Sequence, residues 1–177
     1  TWALTNGDGS LANSYMANLA ADPHEPETLW AMGRGLRKST DGGNSWAQLS
    51  EGLPAILQAN IAIAPSEANT LYAIVAPGSG AIGFYKSTDG GAHWFQPVHG
   101  PNNELPNSKQ DMRPLARIGG GDLPTLAVDP KNANVVYSAS VVMWRTEDAG
   151  LTWSAVRGAP GGDDYQRIWI NPNDPRI

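Results

Sequence analysis

The chain has 177 residues and a formal net charge of −5, with 12 Lys and Arg against 17 Asp and Glu. That acidic balance argues against a nucleic-acid partner, which needs a basic stripe to neutralise phosphates, and against a polybasic membrane anchor. Cysteine is absent, which excludes disulfides and thiolate metal sites, while 20 Gly and 14 Pro among short apolar runs point to an all-β chain rich in turns.

The predicted elements follow in chain order. An apolar strand, Leu19-Ala20-Ala21, runs into an Asp22-Pro23 turn, and a second strand follows at Thr28-Leu29-Trp30-Ala31. Next come Arg37-Lys38 and the run Ser39-Thr40-Asp41-Gly42-Gly43-Asn44-Ser45-Trp46. The same series then recurs. Ile61-Ala62-Ile63-Ala64-Pro65 and Thr70-Leu71-Tyr72-Ala73 lead to Tyr85-Lys86 and Ser87-Thr88-Asp89-Gly90-Gly91-Ala92-His93-Trp94. Leu126-Ala127-Val128-Asp129-Pro130 and Val135-Val136-Tyr137-Ser138 lead to Thr146-Glu147-Asp148-Ala149-Gly150-Leu151-Thr152-Trp153. A fourth series begins at Ile168-Trp169-Ile170-Asn171-Pro172. The three box segments share the pattern S/T-x-D-x-G-x-x-W.

Spacing fixes the register. Asp22 to Asp41 and Asp129 to Asp148 are each 19 residues, and Asp41 to Ala64 and Asp148 to Asn171 are each 23. The period is therefore 42 residues, the length of a four-stranded propeller blade. The middle repeat carries six extra residues near Ala76–Gly83 and seventeen within Gln96–Asp122. Thr1-Trp2 falls where the tail of a preceding box is expected. The expected architecture is an open arc of a β-propeller, with blades at about 15–50, 60–98 and 123–156 and partial blades at 1–6 and 165–177. Such an arc is expected to associate, because its end blades lack neighbours.

The repeated box matches the Asp box of sialidases, sortilin-type receptors and several glycoside hydrolase families. With the flanking Asp-Pro and Leu-Tyr-Ala strands in frame, the whole chain resembles sortilin/Vps10-type and family-74 xyloglucanase-like propellers. Gly161–Pro172 is especially similar to large bacterial proteins of that kind. The resemblance implies a seven-bladed or tandem propeller, secreted or periplasmic, that binds glycan or peptide; no signal peptide is visible. It carries no catalytic residue across. The Arg-Ile-Pro signature and the Tyr/Glu pair of sialidases have no match, and neither catalytic Asp region of the xyloglucanases aligns.

Within a blade, strands A to D run from the axis outward. The box is then the C–D turn. Its Asp accepts turn N–H groups, its Gly permits positive φ, and its Trp fills the gap between sheets. The box aspartates Asp41, Asp89 and Asp148 are read as structural. Each box Trp is expected to be worth roughly 3–5 kcal/mol on truncation to Ala. A–B turns and C–D turns share one rim, whereas B–C loops and D–A connections share the other. Both insertions fall on the second rim, where function is expected.

That second rim supplies the candidate residues. Asp122, Asp163 and Asp164 precede inner strands and are the candidate catalytic acids, the alternative being loop-terminating caps. Arg117, Tyr165 and Arg167 are candidate ligand-binding residues. Arg34 sits at a B–C tip as a turn residue or a ligand contact. Trp30 and Trp144 are either blade-packing residues or sugar platforms. His24, His93 and His99 lack metal-ligand spacing, and neither metal nor cofactor is expected. The remaining blades of a parent chain would be further partners. The leading expectation is a propeller binding glycan or protein ligands on its insertion rim. The alternative is a xyloglucanase-like hydrolase acting on β-glucan, with catalytic acids partly outside this sequence.

Overall fold

The computed structural model describes residues 16–33, 35–79, 82–97, 125–157 and 165–176. Eleven strands and no helix occur among them. The first sheet is β1 (Met16–Ala21), β2 (Leu29–Gly33), β3 (Leu36–Ser39) and β4 (Ala47–Gln48), in that spatial order. The second is β5 (Ile56–Ile63), β6 (Leu71–Pro77) and β7 (Gly83–Ser87). The third is β8 (Thr125–Asp129), β9 (Asn132–Ala139), β10 (Met143–Thr146) and β11 (Ser154–Arg157). Every pairing within the sheets is antiparallel between chain neighbours.

In the second sheet the fourth strand position is a single bridge. Lys86 and Phe95 exchange two backbone hydrogen bonds of 2.8 and 2.9 Å. Pro97, two residues on, has no N–H to extend that ladder.

The Asp-Pro turns follow from local chemistry. Asp22 Oδ1 accepts the N–H groups of His24 and Glu25, at 2.8 and 3.1 Å. Asp129 Oδ1 does the same for Lys131 and Asn132, and Asn171 Oδ1 for Asn173. Such Asx turns reverse the chain at low cost and explain why Asp or Asn precedes Pro in three of the four series. Ala64 has no such side chain; there the Ala64 carbonyl accepts Glu67 N–H at 3.1 Å instead.

The core lies between sheets, not within one. Strand β6 is buried over six consecutive residues, Leu71–Ala76. Its side chains alternate, as a strand's must. Leu71, Ala73 and Val75 join Trp30, Met32 and Leu36 of the first sheet. Tyr72, Ile74 and Ala76 join Val136, Trp144 and Trp153 of the third. A strand buried on both faces therefore sits in the middle of a stack. The inner strands also adjoin: β5 touches β1 and β2 of the first sheet and β8 of the third. Trp30 and Trp144 are each 1 % exposed, so both pack between sheets and neither is a sugar platform.

Candidate functional site

The three box turns share one hydrogen-bond pattern. In the first, Ser39 Oγ donates to Asp41 Oδ1 at 2.7 Å and accepts Gly43 N–H at 2.8 Å. Ser45 N–H and Ser45 Oγ–H donate to the two Asp41 oxygens at 2.9 and 2.5 Å. Trp46 Nε1–H closes the turn onto the Gly43 carbonyl at 2.9 Å. The second and third turns reproduce these bonds with Ser87, Asp89, Gly91, His93 and Trp94, and with Thr146, Asp148, Gly150, Thr152 and Trp153. The fourth box position, directly after the Asp, is held at φ 69° by Gly42, 70° by Gly90 and 60° by Ala149.

These donors hold the carboxylates ionised. The side chain and then the backbone of Ser45 lower Asp41 to about 2. His93, through its N–H and then its ring, lowers Asp89 to about 2. Burial pushes Asp148 up, yet hydrogen bonds from Thr152 outweigh it and leave Asp148 low. A carboxylate held ionised in this way does not donate a proton near neutral pH. The structural reading of the box aspartates follows from this geometry.

At the second box the sequence reading missed an ionic cluster. His93 Nδ1 lies 2.6 Å from Asp89 Oδ2, and His93 Nε2 lies 3.4 Å from Glu51 Oε2. Glu51 belongs to the β4–β5 connection, and its carbonyl accepts Trp94 N–H at 2.9 Å. A D–A connection thus meets a C–D turn, so the two loop types are not fully segregated onto opposite rims. The hydrogen bond to Asp89, then the Glu51 charge, raise His93. The sign follows. A group raised above its unfolded value of 6.5 adds stability below that pH, and the addition is lost as pH rises through the folded value. Thermal melts of the parent and His93→Asn from about pH 5 to about pH 9 are expected to show a parent advantage that shrinks above neutrality. An advantage constant with pH would mean that the ring acts only as a neutral donor.

Each sheet also carries an aromatic–cation pair across its second and third strands. Trp30 faces Lys38, Tyr72 faces Lys86 and Tyr137 faces Arg145 in register. The cations sit 4.9, 5.6 and 5.8 Å from the ring centroids. Trp30 Nε1–H reaches the Gly90 carbonyl of the second sheet at 3.2 Å, and Tyr72 O–H reaches Ala133 of the third at 2.9 Å. The signal was present in the repeat, since each aromatic and cation recurs at one offset once the six-residue insertion is removed. A cavity of about 90 Å³ beside Arg145, Glu147, Thr152 and Ser154 is too small for a ligand, against the roughly 300–1,000 Å³ of small-molecule sites.

Of the candidates expected on the second rim, Asp122, Asp163, Asp164, Arg117, Arg34 and His99 lie outside the described residues. Tyr165 is described: its N–H donates to the Ser140 carbonyl at 2.8 Å. Ser140 begins the β9–β10 turn, so this bond joins a D–A connection to a B–C turn. Arg167 is exposed two residues further on. Tyr165 therefore lies beside the β9–β10 turn.

Neither a protein-family model nor a curated protein sequence matches the chain. Solved structures do. An ancestral GH74 enzyme superposes with a TM-score of 0.60 at 23 % identity, over 93 % of this chain and 22 % of that one. The GH74 xyloglucanase from Xanthomonas campestris gives 0.57 at 18 %, over 81 % of this chain and 23 % of its own. YCF48 bound to D1 peptide gives 0.54 at 18 %, over 83 % and 42 %. These likenesses define the fold as a β-propeller, with the three sheets as its blades. The chain spans about a fifth of the length of the GH74 enzymes and about two fifths of YCF48.

Proposed function

We propose that the chain serves in an Asp-box propeller, acting outside the cytoplasm, that binds an extended polymer on the rim of its B–C turns and D–A connections. The polymer is a polysaccharide or a peptide. The Tyr165–Ser140 bond carries the proposal, because it ties a D–A connection to a B–C turn, the two loop types in which the sequence carries its insertions. The box carboxylates are engaged by donors of their own turns, which supports a structural role for them. YCF48, a neighbour in fold, is bound to a peptide in its own structure. Tyr165, Arg167 and Arg117 are the binding residues on this reading. The test is titration with xyloglucan oligosaccharides, mixed β-glucan and a library of extended peptides. Tyr165→Ala and Arg167→Ala are expected to weaken binding about tenfold or more at an unchanged melting temperature. Unchanged affinity in both variants would overturn this assignment.

A second reading, a glycoside hydrolase, is supported by the likeness to GH74 enzymes over most of the chain. Its acids would be two of Asp122, Asp163 and Asp164, about 5–10 Å apart across a cleft. Turnover of xyloglucan that is lost in Asp122→Asn, Asp163→Asn or Asp164→Asn, at unchanged melting, would install it in place of the binding reading.

A further inference from the structure

Of the three boxes, only the second closes on a group that titrates near neutral pH. In the first and third, the second Asp oxygen accepts a hydroxyl, from Ser45 and from Thr152. In the second, that place is taken by the His93 ring, whose Nδ1 lies 2.6 Å from Asp89 Oδ2. The other ring nitrogen is turned to a different segment, with Nε2 3.4 Å from Glu51 Oε2. Both ring nitrogens thus face carboxylates.

Glu51 stands in the middle of a short arch that leads from the first sheet to the second. The feet of the arch are Leu49 and Leu53, both packed partly against the core between those sheets. Leu49 N–H is also held by the Leu36 carbonyl at 2.9 Å. Between the feet, Ser50, Glu51 and Gly52 are exposed. The arch lies directly on the chain that leaves the second box. Trp94 N–H donates to the Glu51 carbonyl at 2.9 Å. Gly52, at φ +84°, approaches so closely that a Cβ there would run into the Trp94 carbonyl.

We propose that this arch is a proton-operated latch: protonated His93 clamps Glu51 to Asp89 and holds the arch on the Trp94 backbone, and the neutral ring lets the arch lift. The chemistry of imidazole decides the two states. The cation carries an N–H on each nitrogen and donates to both carboxylates at once. The neutral ring has one N–H, so it serves one carboxylate and turns a lone pair on the other. Asp89 lies closer and on the same turn, so it retains the donor, and the Glu51 side of the bridge fails. The charges acting on the ring are these two carboxylates, one from the box and one from the arch. Lys38 of β3, across the seam, lies 3.4 Å from the Gly90 carbonyl and sits over the Trp30 ring. An exposed ion pair is weak, yet here it has little to hold: one backbone hydrogen bond and three exposed residues. The leucine feet stay in place in both states, so the opening is local and leaves the sheets intact. The latch lies in the middle of the chain and does not depend on ligand binding.

Amide hydrogen exchange from about pH 5 to about pH 9, with each rate divided by that of an unstructured peptide at the same pH, tests the latch. Protection of Trp94 N–H is expected to fall roughly two- to fivefold as His93 loses its proton, the range open to an exposed pair. Phe95 N–H, held by the Lys86 carbonyl at 2.9 Å, is expected to keep its protection throughout. Glu51→Gln should remove the pH dependence at Trp94, because a Gln amide meets either state of Nε2 as acceptor or donor. Protection at Trp94 that is flat with pH in the parent would overturn the latch. So would an equal fall at Trp94 and Phe95, which would mean that the whole sheet loosens, or a pH dependence that survives in Glu51→Gln. The comparison of Trp94 with Phe95 is made in the parent and needs no variant to fold.

Discussion

Truncation of Trp153 to Ala is expected to lower the unfolding free energy by roughly 3–5 kcal/mol, as full burial of an aromatic implies. Trp153 is 1 % exposed and meets the Phe84 ring edge-on, with centroids 5.1 Å apart. Phe84 in turn stacks on Tyr72 at 5.6 Å. Removing the indole would open a cavity at the seam between the second and third sheets, and a wall of packed rings cannot collapse into it. The three box tryptophans are not equivalent, although the sequence reading gave them one value. Trp46 sits on the incoming face of the first sheet and is only half-buried. Trp46→Ala is expected to cost less than half as much, on the order of 1–2 kcal/mol by the area it removes from water. Urea melts at a common slope would measure both changes. Equal losses at Trp46 and Trp153 would show that the Trp46 indole is packed as fully as that of Trp153.

The second large effect is expected at Gly150. Its φ is +96°, a left-handed conformation that L side chains rarely adopt. A Cβ built there would run into the Phe84 ring. That ring is pinned between Tyr72 and Trp153, so it has nowhere to go. Backbone strain and overpacking add, and Gly150→Ala should cost roughly 2–4 kcal/mol. Its repeat partner Gly91 is the control. There a Cβ would approach Leu49 at 3.3 Å and the Trp30 indole nitrogen at 3.4 Å, a milder crowding at a similar φ of +91°. Gly91→Ala is therefore expected to cost less than Gly150→Ala. A Gly150→Ala protein that melts with the parent would mean that the third box is free to move off the second sheet.

The turns were legible in the sequence because their causes are local. An Asx turn needs Asp or Asn two residues ahead of its donor, and Asp22, Asp129 and Asn171 all supply it. The box needs a hydroxyl, a carboxylate and a Gly at fixed offsets, and all of its bonds close within seven residues. The candidate binding rim was legible only as a pair of length anomalies in the middle repeat. In the third repeat, the contact between Tyr165 and Ser140 joins two such loops across 25 residues, for which no pattern of spacing exists. The Glu51–His93 pair escaped notice for the same reason. Its partners are 42 residues apart, one in a connection and one in a turn, and nothing in either segment names the other.

By itself the sequence determined the period, the order of strands along each repeat and the chemistry of the box and Asp-Pro or Asn-Pro turns, because short-range sterics and hydrogen bonding set them. The tertiary structure alone decided which face of each sheet is a seam. Alternation along β6 offers two apolar faces of equal merit, and only the sheets on either side make both of them core. Burial is a property of what lies opposite, so Leu19 and Ile61 hold one repeat position and differ from 63 % to 6 % in exposure. That difference belongs to the neighbour, and the neighbour is written in no local stretch of chain.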